Sequence, residues 1–408
     1  MKIRFERIRS EPYRLFFPLG ILLALGGVGH WLFYALGRTH HYSGFLHANI
    51  QVQLYLPCFI GGFLMTAIPR FSGTWPARGW ELAMVAALLA GITTALFIGQ
   101  WVISETLYVL WLLFLVRFIV VRFLKRQVQY PPVEFIWIPP AVFLGLAGAV
   151  IMIMAQTGAL GPVWMQTGRS MQEQGLTLAL VLGIGCFLGP RLMGVYQLPP
   201  VNLHNFQSQI RKKILFHTSC AVLLIVSFFL EGFEDRFKAH ALRAVIVTSI
   251  FIWTRALNAK LISGSSSFIR LLSAAFWMIA AGYWLLPFFP RLYTALLHFI
   301  FLGGFSLMIY CVSTMVVLNH SGRGEYLTKP LWIFWLIAAG VAVSLGFRLI
   351  APFFPEQYFM FLGVSSSAWI AVGIGWLIFS MPFILRVPGE KDPVIDHQKI
   401  IKETSNAC

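Results

Sequence analysis

Apolar residues along this chain run in long unbroken stretches instead of alternating with polar ones. Twelve such stretches can be drawn, at 14–36, 46–68, 80–99, 101–124, 133–156, 173–194, 213–231, 239–258, 268–286, 293–319, 331–350 and 359–385. Each holds about 20 residues, the length an α-helix needs to cross a hydrocarbon core of about 30 Å. A β-barrel would need short segments with a period of two, and these runs have neither property. The pattern predicts an all-α polytopic membrane bundle of about 12 transmembrane helices. Residues 1–385 form a single transmembrane domain in this reading, and 386–408 a disordered cytoplasmic tail of mixed charge. The first stretch is too long for a signal peptide and lacks a small-residue cleavage site, so it is expected to stay as a helix.

Composition narrows the class further. The chain is 58% hydrophobic and only 11% charged, whereas soluble domains carry about 25% charged residues. Too few charges remain to cover a water-facing surface. A soluble enzyme, a disordered protein and a nucleic-acid-binding module are all excluded, the last in spite of a net charge of +16. That charge has another explanation. With twelve spans, all but seven basic residues (Arg38, Arg169, Arg236, Lys238, Arg243, Arg291 and Arg348) fall on the side of the two termini. The positive-inside rule then puts both termini in the cytoplasm, where the basic loops meet anionic membrane lipid.

A weak internal repeat runs through the helices. Stretch 2 closes Pro69-Arg70-Phe71-Ser72-Gly73, stretch 6 closes Pro190-Arg191-Leu192-Met193-Gly194, and stretch 10 closes Asn319-His320-Ser321-Gly322-Arg323. Three blocks of four helices would place these stretches equivalently around an axis.

Few side chains are suited to chemistry. The cysteines (Cys58, Cys186, Cys220, Cys311, Cys408) have no CxxC spacing, which speaks against a disulfide framework or zinc knuckle. Glu81, Glu105, Glu134, Glu173 and Glu231 sit mostly at stretch ends and do not make the carboxylate chain of an ion pump. The histidines sort by depth. His30, His47, His240 and His298 fall at the outer ends of stretches 1, 2, 8 and 10; His217 and His320 fall at cytoplasmic ends. His40 and His41 lie in the first outer loop, His204 in a cytoplasmic loop and His397 in the tail. Neutral imidazole ligates haem iron and copper without burying a net charge, so several histidines at one depth suggest a cofactor. Taken singly, each could equally anchor its helix at the interface.

Two segments carry a resemblance. Stretch 2 begins Leu46-His47-Ala48-Asn49 and, 22 residues after the histidine, reaches Pro69; stretch 10 runs from His298-Phe299-Ile300-Phe301-Leu302-Gly303 to His320, also 22 residues on. With the opening Glu11-Pro12-Tyr13-Arg14-Leu15-Phe16-Phe17, these make the chain similar to the NnrS family. Its members are bacterial twelve-span inner-membrane proteins associated with nitric oxide metabolism and implicated in haem and copper binding. The resemblance implies a haem-binding, metal-binding protein with nitric oxide as a ligand, an unidentified electron donor and no nucleic-acid partner. Many members have a second His and a Glu where this chain has Asn49 and Ile50, and a His where it has Ala280. Ligand sets built on those positions do not carry over.

Three four-helix arcs with outer-leaflet histidines on stretches 2 and 10 also resemble the haem–copper oxidase and nitric oxide reductase core. By that analogy His47 and His298 would hold a haem b. The further copper-site histidines of that core are missing, so a complete reducing centre is not expected. His30 and His240 are expected to border the same pocket, as alternative ligands or a copper site, and Arg243 to pair a haem propionate. His217 and His320, with Cys220, could bind copper or zinc at the cytoplasmic end. Alternatively His320 caps its helix and Arg323 meets lipid phosphate. The rival function is a transporter or scaffold in which the histidines are structural.

Overall fold

A computed structural model describes residues 5–128, 131–195, 206–233, 235–258 and 265–386. His204, His397, Cys408 and nearly all of the expected tail lie outside them. After a short helical segment, Phe5–Ser10, the described residues form twelve long helices. They are α1 (Tyr13–Ala35), α2 (Gly44–Ser72), α3 (Gly79–Phe97), α4 (Trp101–Leu124), α5 (Val133–Gln156) and α6 (Pro162–Leu192). There follow α7 (Phe206–Phe233), α8 (Arg236–Trp253), α9 (Ser267–Leu285), α10 (Pro290–His320), α11 (Trp332–Phe353) and α12 (Pro355–Leu385). No strand occurs among the described residues. Eleven of the helices are long and apolar enough to span a membrane; α8, which carries Arg236, Lys238 and Arg243, falls short.

The largest departure from the sequence pattern is α6, which starts at Pro162 instead of near 173. Its extra turns contain Thr167, Ser170 and Gln172, polar residues that hydropathy assigns to a loop. All three are buried, as is Gln174 just after them. Proline at the first helical position is pre-set for a helix start, and internal hydrogen bonding rather than water satisfies this polar surface.

The three repeated ends are built alike. Gly73, Gly194 and Gly322 take positive φ of 67°, 71° and 71°. The amide after each donates to the carbonyl five residues back: Thr74 to Pro69, Val195 to Pro190 and Arg323 to Leu318. This is the Schellman stop, which glycine makes without a Cβ penalty. Gly37, Gly99 and Gly158 close other helices in the same way, so the stop does not mark the repeat. Wide π turns do. Among the described residues they occur in α2 (Gln51–Tyr55), α6 (Met171–Gly175 and Val181–Gly185) and α10 (Phe299–Ser306). Such turns are rare and concentrate at functional sites.

The helices group into two compact units. The first contains α1, α2 through Gly62, and α9–α12. Phe17 of α1 stacks on Phe59 of α2 at 4.8 Å, and Trp376 of α12 donates its indole N–H to the Thr314 hydroxyl of α10 at 3.0 Å. Ser365 of α12 donates to the Ser344 carbonyl of α11 at 2.7 Å. The second contains the rest of α2 and α3–α8. There Arg122 of α4 pairs with Glu81 of α3 at 2.8 Å, and Lys213 of α7 with Glu134 of α5 at 2.7 Å.

Candidate functional site

In the first unit α2 starts one turn before His47: the Ser43 hydroxyl accepts from the Leu46 amide at 3.1 Å and caps the helix. The loop before it is short, so the last turns of α1 run beside the first turns of α2. Gly27 lets them approach closely. A Cβ there would come within 2.6 Å of the Ile50 side chain. The Gly27 carbonyl is thereby placed to accept from His47 Nδ1 at 2.8 Å. On α10, His298 Nδ1 donates to the Thr294 carbonyl one turn back, at 2.7 Å, and the long π segment begins at the next residue.

The two imidazoles meet. Their ring centres are 6.3 Å apart and their planes differ by only 8°. A carbonyl can only accept, so each Nδ1 carries the proton and each Nε2 carries the lone pair. This is the tautomer of a metal ligand held by a second-sphere hydrogen bond. His30 of α1 lies 6.2 Å from His47, centre to centre. Its ring nitrogens are buried and make no hydrogen bond of good geometry, although the Gly27 and Ser43 backbone is near. Trp31 stands edge-on to His47 at 6.1 Å and Phe301 edge-on to His298 at 6.3 Å. The three histidines are half-buried.

Arg348 is a residue the sequence reading did not single out. It sits near the C-terminal end of α11, is buried, and acts electrostatically on His298. The signal was present: Arg348 is one of the seven basic residues on the expected outer side, and it follows an apolar run.

The other expected site residues have different surroundings. Arg243 and His240 of α8 belong to the second unit. Arg243 is fully buried and pairs with Glu231 of α7 at 2.6 Å. It also donates to the Ser227 hydroxyl at 2.9 Å and carbonyl at 3.1 Å, and lies over the Phe228 ring. His240 is 3.8 Å from the same carboxylate, which also accepts from Ser170 at 3.1 Å. Glu231 already matches the charge of Arg243, so a propionate there would share the guanidinium with that carboxylate. The acidic residues read as helix-end features are equally engaged. Glu105 accepts from Gln172 at 2.6 Å and Glu173 from Arg169 at 2.6 Å.

His217 differs in tautomer from the α2–α10 pair. Its Nδ1 accepts from the Trp137 indole N–H at 2.9 Å, so the neutral ring carries its proton on Nε2. A metal at Nε2 of His217 would require the other tautomer and loss of the Trp137 bond. His320 is at the opposite end of α10 from His298. Their separation of 22 positions amounts to roughly 33 Å of helix. Its ring packs edge-on against Tyr13 at 5.2 Å, and its carbonyl accepts from Arg14 at 3.3 Å and Arg7 at 3.4 Å. It is the last residue of α10. Cys58, Cys186, Cys220 and Cys311 are free and buried. No three His, Cys, Asp or Glu side chains among the described residues come together to hold a metal ion.

The profile of the family described as NnrS protein matches residues 7–387, nearly the whole chain. The chain belongs to the NnrS family. No curated protein matches it. In this NnrS-family chain the features that carried the resemblance, His47 on α2 and His298 on α10, are the two imidazoles that face one another.

Proposed function

We propose that this NnrS-family protein binds haem b through His47 and His298 and acts in the nitric oxide response of a bacterial cytoplasmic membrane, with both termini inside. The observation that carries the reading is the parallel imidazole pair, each ring with Nδ1 bonded to a backbone carbonyl. The spacing suits the group. Metal–imidazole bonds are about 2 Å and a ring centre lies about 1 Å behind its nitrogen, so two rings sharing one iron have centres roughly 6 Å apart. A bare copper ion fits less well, because it finds no third donor of the His, Cys, Asp or Glu class among the described residues. Haem brings four nitrogens of its own and needs only the two axial ones.

His47 and His298 would hold the iron from opposite helices, and Gly27 and Thr294 would fix the ring orientations. His30, 6.2 Å from His47, would serve as a replacement ligand or a hydrogen-bonding neighbour. When bound, the haem would supply a one-electron couple and, on release of one imidazole, an iron position for nitric oxide. The test is the absorbance of protein purified from membranes. A Soret band is expected, lost or shifted in both His47→Ala and His298→Ala. Wild-type spectra and haem content in both variants would overturn the assignment. Absence of any Soret band in the wild type, with copper in metal analysis, would replace haem by copper.

A further inference from the structure

Buried cations elsewhere in this protein have partners in the chain itself. Arg122 has Glu81, Arg243 has Glu231, and Arg14 is wrapped by the carbonyls of His320, Phe383, Ile384 and Arg386. Arg348 is the exception. It is only 8% exposed, its Nη1 is buried with no hydrogen-bond partner, and no carboxylate among the described residues pairs with it. The described acids of its unit are Glu6 and Glu356, which are exposed, and Glu325, which pairs with Arg323 at 3.6 Å. Among the described residues the side chain acting on it is the Tyr358 phenol at the start of α12. A phenol oxygen can accept from a guanidinium and keep its own O–H to donate.

An uncompensated charge in a low-dielectric site is costly, and a guanidinium presents its donors in a planar fork that matches a carboxylate. The imidazoles beside it carry no negative charge, so the site as a whole is cationic. We propose that Arg348 and Tyr358 form a carboxylate subsite for the group held by His47 and His298: the guanidinium receives a haem propionate and the phenol O–H supports it. This rests on the haem reading above. The same chemistry would accept a free small anion such as nitrite, and the experiment separates the two.

Full-length protein stripped of haem is titrated with haem b and with its dimethyl ester, which lacks the carboxylates. The wild type is expected to bind the ester about tenfold or more weakly, the scale of a lost charge-assisted hydrogen bond. Arg348→Gln is expected to bind haem b as weakly as the wild type binds the ester, with no further loss on esterification. Arg348→Lys keeps the charge without the fork and is expected between the two. The midpoint potential of bound haem should fall in Arg348→Gln, because a nearby cation favours the reduced iron. Equal affinity of the wild type for haem and ester would overturn the proposal, and needs no variant. If in addition nitrite perturbs the Soret band of the wild type but not of Arg348→Gln, the subsite belongs to a free anion. A wild type that takes up no haem overturns the haem reading and this inference together, whereas haem uptake without discrimination overturns the inference alone.

Discussion

Two polar clusters are embedded in this apolar chain, and they are built on opposite principles. In the second unit, Glu231, Arg243, Ser170 and Ser227 form a closed set: the carboxylate and the guanidinium neutralise each other at 2.6 Å, and the hydroxyls take up further lone pairs and protons. In the first unit, His30, His47, His298 and Arg348 form an open set. Two of the imidazoles, His47 and His298, are oriented by backbone carbonyls, and the one charge has no counter-ion among the described residues. A closed cluster is explained by holding α7 and α8 together. An open one has room for a group from outside the polypeptide, which is the reading proposed above. Ionisable residues inside a membrane protein are functional candidates by default, and satisfaction is what separates these two.

The comparison can be broken most forcefully at the closed cluster. Arg243→Met should leave Glu231 buried and uncompensated and cost about 3–5 kcal/mol of stability, read as a lowered thermal midpoint or lost yield in detergent. Pairing it with Glu231→Leu should recover most of that loss, because a buried ion pair is worth little more than apolar packing. Haem per folded molecule should stay at the wild-type value in the double variant. A double variant as damaged as the single one would mean the cluster does more than hold helices.

A smaller effect is expected at the junction of α1 and α2. In Gly27→Ala the new Cβ meets Ile50 and Gln51; such overpacking costs about 1–3 kcal/mol and shifts the carbonyl that orients His47. Haem affinity should fall more than stability, which a titration beside a melting curve will show. Equal affinity in the variant would mean His47 is not steered by α1.

The mildest change sharpens the contrast between tautomers. Trp137→Phe removes the indole donor to His217 Nδ1 and should cost about 1 kcal/mol with no effect on the Soret band. Loss of bound haem or metal on this substitution would place His217 in a site.

The fold was largely legible from hydropathy, because the bilayer thickness fixes how long an apolar run must be. Ten of the twelve stretches correspond closely to helices of the structure, and the two that did not fit the rule fail for one reason. The start of α6 and all of α8 contain charged or amide side chains that a hydropathy average reads as exposed, yet Gln172, Gln174 and Arg243 are buried. Their partners lie on other helices, 67 to 69 residues away for the two glutamines, and no local window contains them.

For the site, residue type and depth picked out His47 and His298, since neutral imidazoles at matching ends of two helices are uncommon and a known family places them there. Depth alone also drew in His240 and Arg243, because position along a helix says nothing about rotation around it or about which neighbour it faces. Sequence by itself therefore determined that the chain is helical, that it is built to lie in lipid, and which histidines share a level. Tertiary structure decided which of them meet, which nitrogen holds each proton, and that Arg348 rather than Arg243 is left without a counter-charge among the described residues. Those outcomes depend on contacts between helices far apart in the chain, and a buried charge reveals its role only through the partners that packing gives or denies it.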